Sequence, residues 1–327
     1  METTLLEVKD LVTRIPLEGG CEISVVNGVS FSIARGESMG LVGESGSGKS
    51  MSVLSLMGLL PRPGRVTSGH ALLDGRDLLA LPAAELRRIR GREIGMVFQD
   101  PATSLNPVLT IGQQMTEGLR AHLPMSEGDR RKRAIELLEL VGIPGGEARL
   151  KSFPHEFSGG QRQRILIAMA IACEPRLLIA DEPTTALDTT IQAQIVELLK
   201  GLQRRLGMAI LWITHDLALV AGIVDRVAVM YAGSIVEEAP VGELFKRPRH
   251  PYTLGLLRAM PHTRARHTGG ERLTSIPGSP PDLKSLGSGC SFAPRCSMVM
   301  EGCREERPRL AVVSPGHHVA CFRAEEL

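Results

Sequence analysis

The stretch "SMGLVGESGSGKSMSVLSLMGLL", residues 38–60, decides the fold. Residues 38–43 form a short apolar run typical of a buried strand, and residues 50–60 have the composition of a helix that stops before Pro61. Between them, Gly43–Ser50 fits the pattern G-x-x-x-x-G-K-[ST], whose glycines let backbone N–H groups approach a phosphate. Because the pattern follows a strand and opens a helix, it predicts a phosphate-binding loop.

Two carboxylates follow a second apolar run, "LLIADEP", residues 177–183. Asp181, at the end of this predicted strand, would hold Mg²⁺ through water, together with the hydroxyl of Ser50. Glu182 would polarise the water that attacks a γ-phosphate, while Lys49 would neutralise the β- and γ-phosphates. The residues predicted to bind the nucleotide phosphates are Gly43, Glu44, Ser45, Gly46, Ser47, Gly48, Lys49 and Ser50.

Three further polar residues lie next to predicted strands or to these carboxylates. Gln99 ends the short apolar run in "MVFQDP", His215 lies at the strand terminus in "LWITHD", and Asp188 ends "TTALD". The carboxyl edge of an α/β sheet is where ligands bind, so a histidine there can contact a γ-phosphate instead of serving the core.

A second anion-binding feature lies in "HEFSGGQRQRILIAMAIACEP", residues 155–175. A Ser-Gly-Gly at a helix start presents backbone N–H groups to an anion, and the apolar residues after it recur at helical spacing. The residues of this feature are Ser158, Gly159, Gly160 and Gln161. The chain therefore carries two predicted phosphate-binding features. A single nucleotide site would need only one of them.

The composition restricts the class of protein. The 327 residues suffice for one α/β domain of about 250 residues plus a small appendage. A net charge of +2 gives no global field for nucleic acid, so none is expected as a partner. The N-terminus has no signal-peptide pattern, and the longest apolar run, of nine residues, is about half a bilayer span. We expect a soluble, cytoplasmic chain without a disulfide framework.

Strand and helix patterns alternate along most of the chain, which predicts a mainly parallel sheet covered by helices. Residues 83–164 have a mostly helical pattern, and after about residue 250 the periodicity is lost. We therefore expect one large domain at 1–250 and an extension at 251–327 that begins with a helix at 249–261. The other predicted elements are strands at 5–12, 23–33 (with a turn at 26–28), 176–183, 208–216 and 226–233, and helices at 129–143 and 190–207.

Taken in order, Gly43–Ser50, Gln99, "FSGGQ", "LLIADE", "ALD" and His215 resemble the motifs of the ATP-binding subunit of an ATP-binding-cassette (ABC) transporter. The resemblance covers about 1–250. It implies a P-loop NTPase fold of the α/β class, with a mainly parallel sheet, an antiparallel β portion and a helical subdomain at about 100–164. It also implies ATP and Mg²⁺ as cofactors and an ATPase that works as a head-to-tail dimer.

The resemblance also assigns roles to residues. Glu182 would be the catalytic carboxylate, and Gln99 and His215 would sense or position the γ-phosphate and its water. Gln99 would join Ser50 and Asp181 at Mg²⁺, and Asp188 would contact the opposite subunit. The residues implied to act on the facing subunit's nucleotide are Ser158, Gly159, Gly160 and Gln161.

Two other segments bear on these implied contacts. The segment "DPATSLNPVLTIGQQM", which begins at Asp100, would touch the membrane subunits. The family usually stacks adenine on an aromatic residue, but residues 1–30 contain no Phe, Tyr or Trp, which leaves Arg14, Ile15 or Ile23.

The extension contains four cysteines within 32 residues, and metal binding would explain them better than disulfides in a reducing compartment. Its phrases "HPYTLGLLRAMP", "IPGSPPDL", "GCSFAPRC" and "PGHHVACF" resemble the dipeptide, oligopeptide and nickel branch of these ATPases. That resemblance implies a [4Fe–4S] cluster, with zinc or free thiols as alternatives and His317 and His318 as ordinary tail residues or substitute ligands. The implied cluster ligands are Cys290, Cys296, Cys303 and Cys321.

The same resemblance implies the partners: a paralogous ATPase, a pair of membrane permeases and an extracytoplasmic binding protein, with this chain at the cytoplasmic face of the membrane. The function implied is the motor of a di- or oligopeptide importer, with a nickel or other small-solute importer as the alternative. A soluble ABC ATPase acting on DNA or ribosomes usually has two fused cassettes or long coiled coils, which this chain lacks. A regulatory subunit without turnover is disfavoured by Glu182 and His215.

Overall fold

The computed structural model describes residues 3–185, 187–260 and 275–327. Ala186, in the "ALD" motif, and residues 261–274, in the predicted extension, lie outside the described residues. The chain groups into two compact units. Unit 1 consists mainly of Ala34–Glu37 and Leu81–Trp212, and unit 2 of Thr4–Ile33, Ser38–Ala80 and Ile213–Leu327.

The elements are numbered in chain order. The strands are β1 (Thr4–Pro16), β2 (Glu22–Ala34), β3 (Ser38–Val42), β4 (Arg65–Leu73), β5 (Arg76–Asp77), β6 (Ile94–Val97), β7 (Leu177–Asp181), β8 (Ala209–Thr214), β9 (Arg226–Tyr231), β10 (Ser234–Pro240), β11 (Ala311–Ser314) and β12 (His317–Val319). The α-helices are α1 (Lys49–Leu56), α2 (Ala83–Ile89), α3 (Pro101–Ser104), α4 (Ile111–His122), α5 (Glu127–Leu140), α6 (Gly146–Arg149), α7 (Gly159–Ala170), α8 (Thr189–Leu206), α9 (Leu217–Val220), α10 (Val241–Lys246), α11 (Pro251–Ala259) and α12 (Gly302–Glu305).

Unit 2 contains the strand that precedes the predicted phosphate-binding loop. All residues of β3 are buried, and β3 runs parallel to β9, with Met39 opposite Arg226 and Val42 opposite Val229. From β9 the sheet continues through antiparallel neighbours, β10, β12 and β11. A second, antiparallel sheet has the order β2-β1-β4-β5. A strand buried on both faces places its carboxyl end, and the loop after it, on a rigid base.

Unit 1 contains the strands that carry the predicted carboxylates and the glutamine. Strands β6 and β7 pair in parallel, with Val97 opposite Ala180, and β8 lies on the other side of β7. Every residue of β7 is buried, and helices α7 and α8 also carry fully buried side chains, among them Ile165, Ile167, Ile195 and Leu199. Among the described residues, no helix has the length and apolar character that crossing a bilayer requires.

The predicted α/β class is confirmed, and the strands at 38–43 and 176–183 and the helix at 190–207 appear within a few residues of their predicted bounds. The turn at 26–28 is wrong, because these residues lie inside β2, where Gly28 continues the strand with a φ of +69°. The helix predicted at 50–60 ends at Leu56. Cys173, at the end of the apolar run that follows the Ser-Gly-Gly, lies beyond the end of α7 and is half-buried.

Candidate functional site

The loop Gly43–Ser50 connects β3 to α1 in unit 2, and two of its glycines are required by their surroundings. Gly43 has a φ of +156°, and a Cβ there would lie 2.2 Å from the carbonyl oxygen of Met230. Gly48 has a φ of +103°, and a Cβ would lie 2.4 Å from the carbonyl oxygen of Val25. At both glycines the loop backbone packs directly against the backbone of a neighbouring strand, with no room for a side chain. The opposite face of the loop is therefore the one on which a ligand could lie.

Lys49, the first residue of α1, is 5% exposed, and its ammonium is satisfied inside the loop. Nζ donates to the carbonyl oxygens of Gly43 at 2.8 Å and Glu44 at 2.9 Å. The loop is tied to unit 2 by the N–H of Gly233, which donates to the carbonyl oxygen of Ser47 at 2.9 Å. The charge of Lys49 is therefore held at the start of a helix, where backbone N–H groups and the helix dipole also favour an anion.

In unit 1, the structure brings Gln99 and Glu182 into direct contact. Gln99 Nε2 donates to Glu182 Oε2 at 2.9 Å, and the hydroxyl of Thr185 donates to the same oxygen at 2.9 Å. Asp181 is buried at the end of β7, and Glu182 follows it with a φ of +47°. A left-handed backbone is unfavourable for a glutamate, and such strain is concentrated at functional positions. Sequence reasoning missed Thr185, although it lies in the quoted segment "TTALD".

Ser158 and Gln161 form a capping box at the start of α7. The N–H of Gln161 donates to Ser158 Oγ at 3.3 Å, and the N–H of Ser158 donates to Gln161 Oε1 at 3.0 Å. Ser158 and Gly159 are exposed. Asp188, also exposed, caps α8 by accepting from the N–H groups of Thr190 and Ile191 at 3.1 and 3.0 Å. The predicted trans-acting residues thus lie on the surface of unit 1.

His215 lies in unit 2, directly after β8, and is exposed. Its neighbour Asp216 caps the short helix α9. The predicted site residues are therefore divided between the units. Unit 2 holds the phosphate-binding loop and His215, and unit 1 holds Gln99, Asp181, Glu182, Asp188 and the Ser158–Gln161 feature. Of the adenine candidates, Arg14 pairs with Glu22 at 3.6 Å.

The four cysteines of the extension line one small cavity, together with His250 and Phe292. The N–H of Met298 donates to Cys296 Sγ and that of Arg323 to Cys321 Sγ, each at 3.4 Å. Burial raises the pKa of the Cys296 thiol, and it raises the pKa of Cys321 to about 11. The part of the chain that the structure describes has no group of three or more His, Cys, Asp or Glu side chains placed to hold a metal ion.

The histidines of the extension have other surroundings. His317 is buried, and its Nε2 lies 2.8 Å from Glu237 Oε1, which joins β12 to β10. Glu237 also accepts from the backbone N–H groups of Arg249 and His250. His318 is half-buried. His317 therefore serves the packing of the extension.

Comparison with known proteins agrees with this geometry. The chain matches the family described as "ABC transporter" over residues 26–185 and the family described as "Oligopeptide/dipeptide transporter, C-terminal region" over residues 236–303. The oligopeptide transport ATP-binding protein OppD of Bacillus subtilis strain 168 is 54% identical over 318 residues, which cover 97% of this chain and 88% of OppD. OppD of Escherichia coli K12 is 48% identical over 322 residues, which cover 98% of this chain and 94% of that protein.

Solved structures show the same fold. The dimeric post-hydrolysis state of the ATP-binding cassette MJ0796 bound to ADP and Pi has a TM-score of 0.64 and 31% identity, over 72% of this chain and 98% of that one. CbiO1 from Clostridium perfringens, part of the ABC transporter complex cbiONQ, has a TM-score of 0.64 and 30% identity, over 75% and 92%. The chain belongs to the ATP-binding proteins of ABC transporters. Within them, its similarity extends through the C-terminal region to the oligopeptide transport proteins.

Proposed function

We propose that this chain is the ATP-hydrolysing motor of a membrane importer for oligopeptides or dipeptides. The observation that carries the proposal is the glutamate after β7, whose carboxylate is fixed by Gln99 and Thr185. In a family of ATPases, a fixed carboxylate next to the strand-end Asp181 is suited to activating water, not only to binding nucleotide. The relatives named for oligopeptide transport cover nearly the whole chain, which favours peptides over nickel or another small solute.

The proposed mechanism consists of positioning and electrostatic stabilisation, which is what phosphoryl transfer requires. The backbone of the phosphate-binding loop and Lys49 bind the phosphates, Glu182 orients and polarises the attacking water, and Gln99 and His215 position that water and the γ-phosphate. Ser50, Asp181 and Gln99 are oxygen donors suited to Mg²⁺, which neutralises charge on the β- and γ-phosphates when it is bound.

We propose that this chain works as a head-to-tail dimer, because such a dimer explains why the chain has two anion-binding features. The exposed start of α7, Ser158–Gln161, would close on the γ-phosphate held by the loop of the facing subunit. Its N–H groups and the helix dipole are suited to an anion from outside the subunit. ATP then favours the closed pair and ADP the open one, which couples hydrolysis to the membrane subunits.

The proposed assembly contains a paralogous ATPase, a pair of permeases and an extracytoplasmic binding protein, with this chain on the cytoplasmic face of the membrane. The test is transport by vesicles that contain the complex, with ATP inside and a labelled oligopeptide, a labelled dipeptide or Ni²⁺ outside with the binding protein. We expect ATP-dependent uptake of peptide that stops with Glu182→Gln. Uptake of Ni²⁺ alone, or purification without any permease, would contradict the proposal.

We further propose that the four cysteines hold a [4Fe–4S] cluster. Four cysteine thiolates are the ligand set of such a cluster, and N–H groups directed at their sulfurs stabilise the negative charge that a cluster retains. Bound iron and sulfide would cross-link three separate parts of the extension, Cys290–Cys296, Cys303 and Cys321, and so stabilise a segment with little apolar core.

The test is anaerobic purification of the wild type and of Cys303→Ser, with Cys21→Ser as the matched control, since Cys21 is exposed and far from the extension in sequence. We expect iron, acid-labile sulfide and visible absorption in the wild type and in Cys21→Ser, and their loss in Cys303→Ser. A colourless protein with one zinc per chain would replace the cluster by zinc, and a metal-free protein would leave free thiols.

A further inference from the structure

The side chain of Glu44, within the phosphate-binding loop, is bound by an arginine of the C-terminal extension. Arg295 Nη1 donates to Glu44 Oε2 at 2.7 Å, and Nη2 donates to Oε1 at 3.0 Å. The side chain of Arg295 is only 6% exposed, and its Nε donates to the carbonyl oxygen of Pro277 at 2.9 Å. Arg295 and Glu44 thus form a bidentate, charge-assisted pair, and all three guanidinium nitrogens donate hydrogen bonds. A lysine could not reproduce this geometry.

A second residue of the extension holds the backbone of the same glutamate. The N–H of Glu44 donates to the hydroxyl oxygen of Tyr252 at 2.9 Å, and Tyr252 is fully buried. The carbonyl of Glu44 accepts from Lys49 Nζ at 2.9 Å. Glu44 is thus fixed at its carboxylate and N–H by the extension, while its carbonyl fixes the ammonium that would face the phosphates.

The loop between the first two cysteines brings Arg295 to this position. Phe292, in the same loop, packs with its ring centroid 5.2 Å from that of Tyr231 and 5.4 Å from that of Tyr252. The guanidinium of Arg295 lies 5.9 Å from the Tyr231 ring. The N–H of Cys290 donates to the carbonyl oxygen of Cys303 at 2.8 Å, which joins the start of this loop to the third cysteine. The cysteine region and the phosphate-binding loop therefore form one connected set of contacts within unit 2.

We propose that Arg295 is a positioning residue for the nucleotide: it neutralises Glu44 and, with Tyr252, holds the phosphate-binding loop in the conformation that accepts a triphosphate. A carboxylate in a phosphate-binding loop repels a nucleotide unless a cation is paired with it. The extension therefore sets the affinity of the site for ATP. This inference rests on the proposed function of Gly43–Ser50 as the phosphate-binding loop.

The test measures dissociation constants for a non-hydrolysable ATP analogue and for AMP, with Mg²⁺, on the full chain. For Arg295→Ala we expect the affinity for the ATP analogue to fall about 10- to 100-fold, as for loss of a charge-assisted pair that leaves its partner unpaired. AMP affinity should change much less, because repulsion grows with the charge of the ligand. The loss should shrink at high salt.

A second substitution separates repulsion from a general loss of structure. In Glu44→Gln with Arg295→Ala, the unpaired charge is gone, so affinity for the ATP analogue should recover most of its loss. Tyr252→Phe, which removes only the hydroxyl, should weaken binding less than Arg295→Ala. The matched control is Arg304→Ala, an exposed arginine next to Cys303, which should bind nucleotide like the wild type.

The results that would overturn this inference differ from those that would overturn the proposed function. If the wild type binds the ATP analogue and Lys49→Ala does not, the phosphate-binding loop is established. Unchanged affinity in Arg295→Ala would then overturn this inference alone. If Arg295→Ala does not fold, Arg295→Gln and Tyr252→Phe provide the measurement, and wild-type affinity in both would overturn the inference. Visible absorption and iron content, measured on each variant, show whether a loss of affinity arises through the cysteines instead.

Discussion

At the scale of single residues, the group that we propose to be decisive for hydrolysis is the carboxylate of Glu182. Its Oε2 accepts hydrogen bonds from Gln99 and Thr185, which fix its orientation. In Glu182→Gln the amide cannot take a proton or polarise water as a carboxylate does. We expect turnover to fall about 100-fold or more while the dissociation constant for ATP changes little, as for removal of a general base. Single-turnover hydrolysis and nucleotide titration measure the two quantities separately.

The control for this prediction is Thr185→Ala, which removes one hydrogen bond to Glu182 Oε2 and keeps the charge. Its turnover should fall by much less than that of Glu182→Gln. Equal turnover of Glu182→Gln and the wild type would show that another group activates the water.

The sequence predicted those site residues whose function depends on local pattern. A strand, a glycine-rich loop and a helix start lie next to each other in the chain, so Gly43–Ser50 could be recognised without knowledge of the fold. The pair between Glu44 and Arg295 could not, because the two residues are separated by most of the chain and neither the loop motif nor the phrase "GCSFAPRC" indicates that they pair. Such a contact depends on how the extension packs, which periodicity does not encode.

At the scale of elements, Asp188 combines a local and a proposed intersubunit role. It caps α8 by accepting from the N–H groups of Thr190 and Ile191. Asp188→Ala should lower the free energy of unfolding by about 1 kcal/mol, whereas Asp188→Ser keeps a capping oxygen and should cost much less. Urea unfolding followed by the fluorescence of Trp212, the single and buried tryptophan, measures both.

The two variants also test the intersubunit contact. If the carboxylate of Asp188 contacts the facing subunit, Asp188→Ser should lower ATP-dependent dimerisation although its stability is close to that of the wild type. Equal dimerisation of Asp188→Ser and the wild type would restrict Asp188 to capping the helix.

The start of α7 offers a matched pair of glycines. A Cβ at Gly160 would lie 2.8 Å from Ile191 Cγ2, whereas at Gly159 the nearest atom would be Leu187 Cδ2, at 3.7 Å. Gly160→Ala should therefore strain the packing of α7 on α8, while Gly159→Ala fits within the subunit and should not lower its stability. We expect Gly159→Ala to lower turnover nevertheless, because its new methyl group would face the partner's nucleotide. Thermal unfolding and ATPase assays distinguish the two effects, and full activity in Gly159→Ala would contradict the proposed closure.

The elements predicted best were those whose apolar residues recur at regular spacing or whose ends are marked by a capping residue or a glycine. Helix α8 has a polar cap at Asp188 and a left-handed Gly207 at its end, and both ends were correct to within a residue. The turn predicted at 26–28 failed because Asn-Gly favours a turn only where no neighbouring strand continues the pairing. Strands β11 and β12 were not predicted, since they are short and β11 is exposed along its whole length.

At the scale of the whole molecule, the extension does not form a structure independent of the sheet in unit 2. β12 pairs with β10, with Glu237 opposite Val319, and the 2.8 Å hydrogen bond between Glu237 Oε1 and His317 Nε2 joins the same two strands. A boundary near residue 250 remains a prediction, based on the change in composition. The pairing explains why composition is a poor guide here: a segment with little apolar periodicity can still complete a sheet whose core other strands supply.

The final prediction concerns the sharing of each nucleotide site by two subunits, and it is tested on pairs of this chain formed without the paralogous ATPase. Lys49→Ala disables the phosphate-binding loop, and Gly159→Glu would place a negative charge at the proposed γ-phosphate contact of the facing subunit. Each variant alone should be inactive. In a dimer that contains one of each, both defects fall on one site and the other site is intact. A random equimolar mixture should therefore regain about a quarter of the wild-type ATPase rate, since about half of the dimers are mixed and half of their sites are complete.

The wild-type chain, assayed at the same concentration, establishes that the subunits pair under these conditions. On dilution, the regained activity should fall more steeply than the concentration of the chain, because pairing obeys mass action. If each subunit used its own Ser158–Gln161 feature, a site with an intact loop would always carry the Gly159→Glu defect, and the mixture would remain inactive. Recovery thus distinguishes a shared site from a site within one subunit, without depending on the stability of either variant beyond its ability to fold.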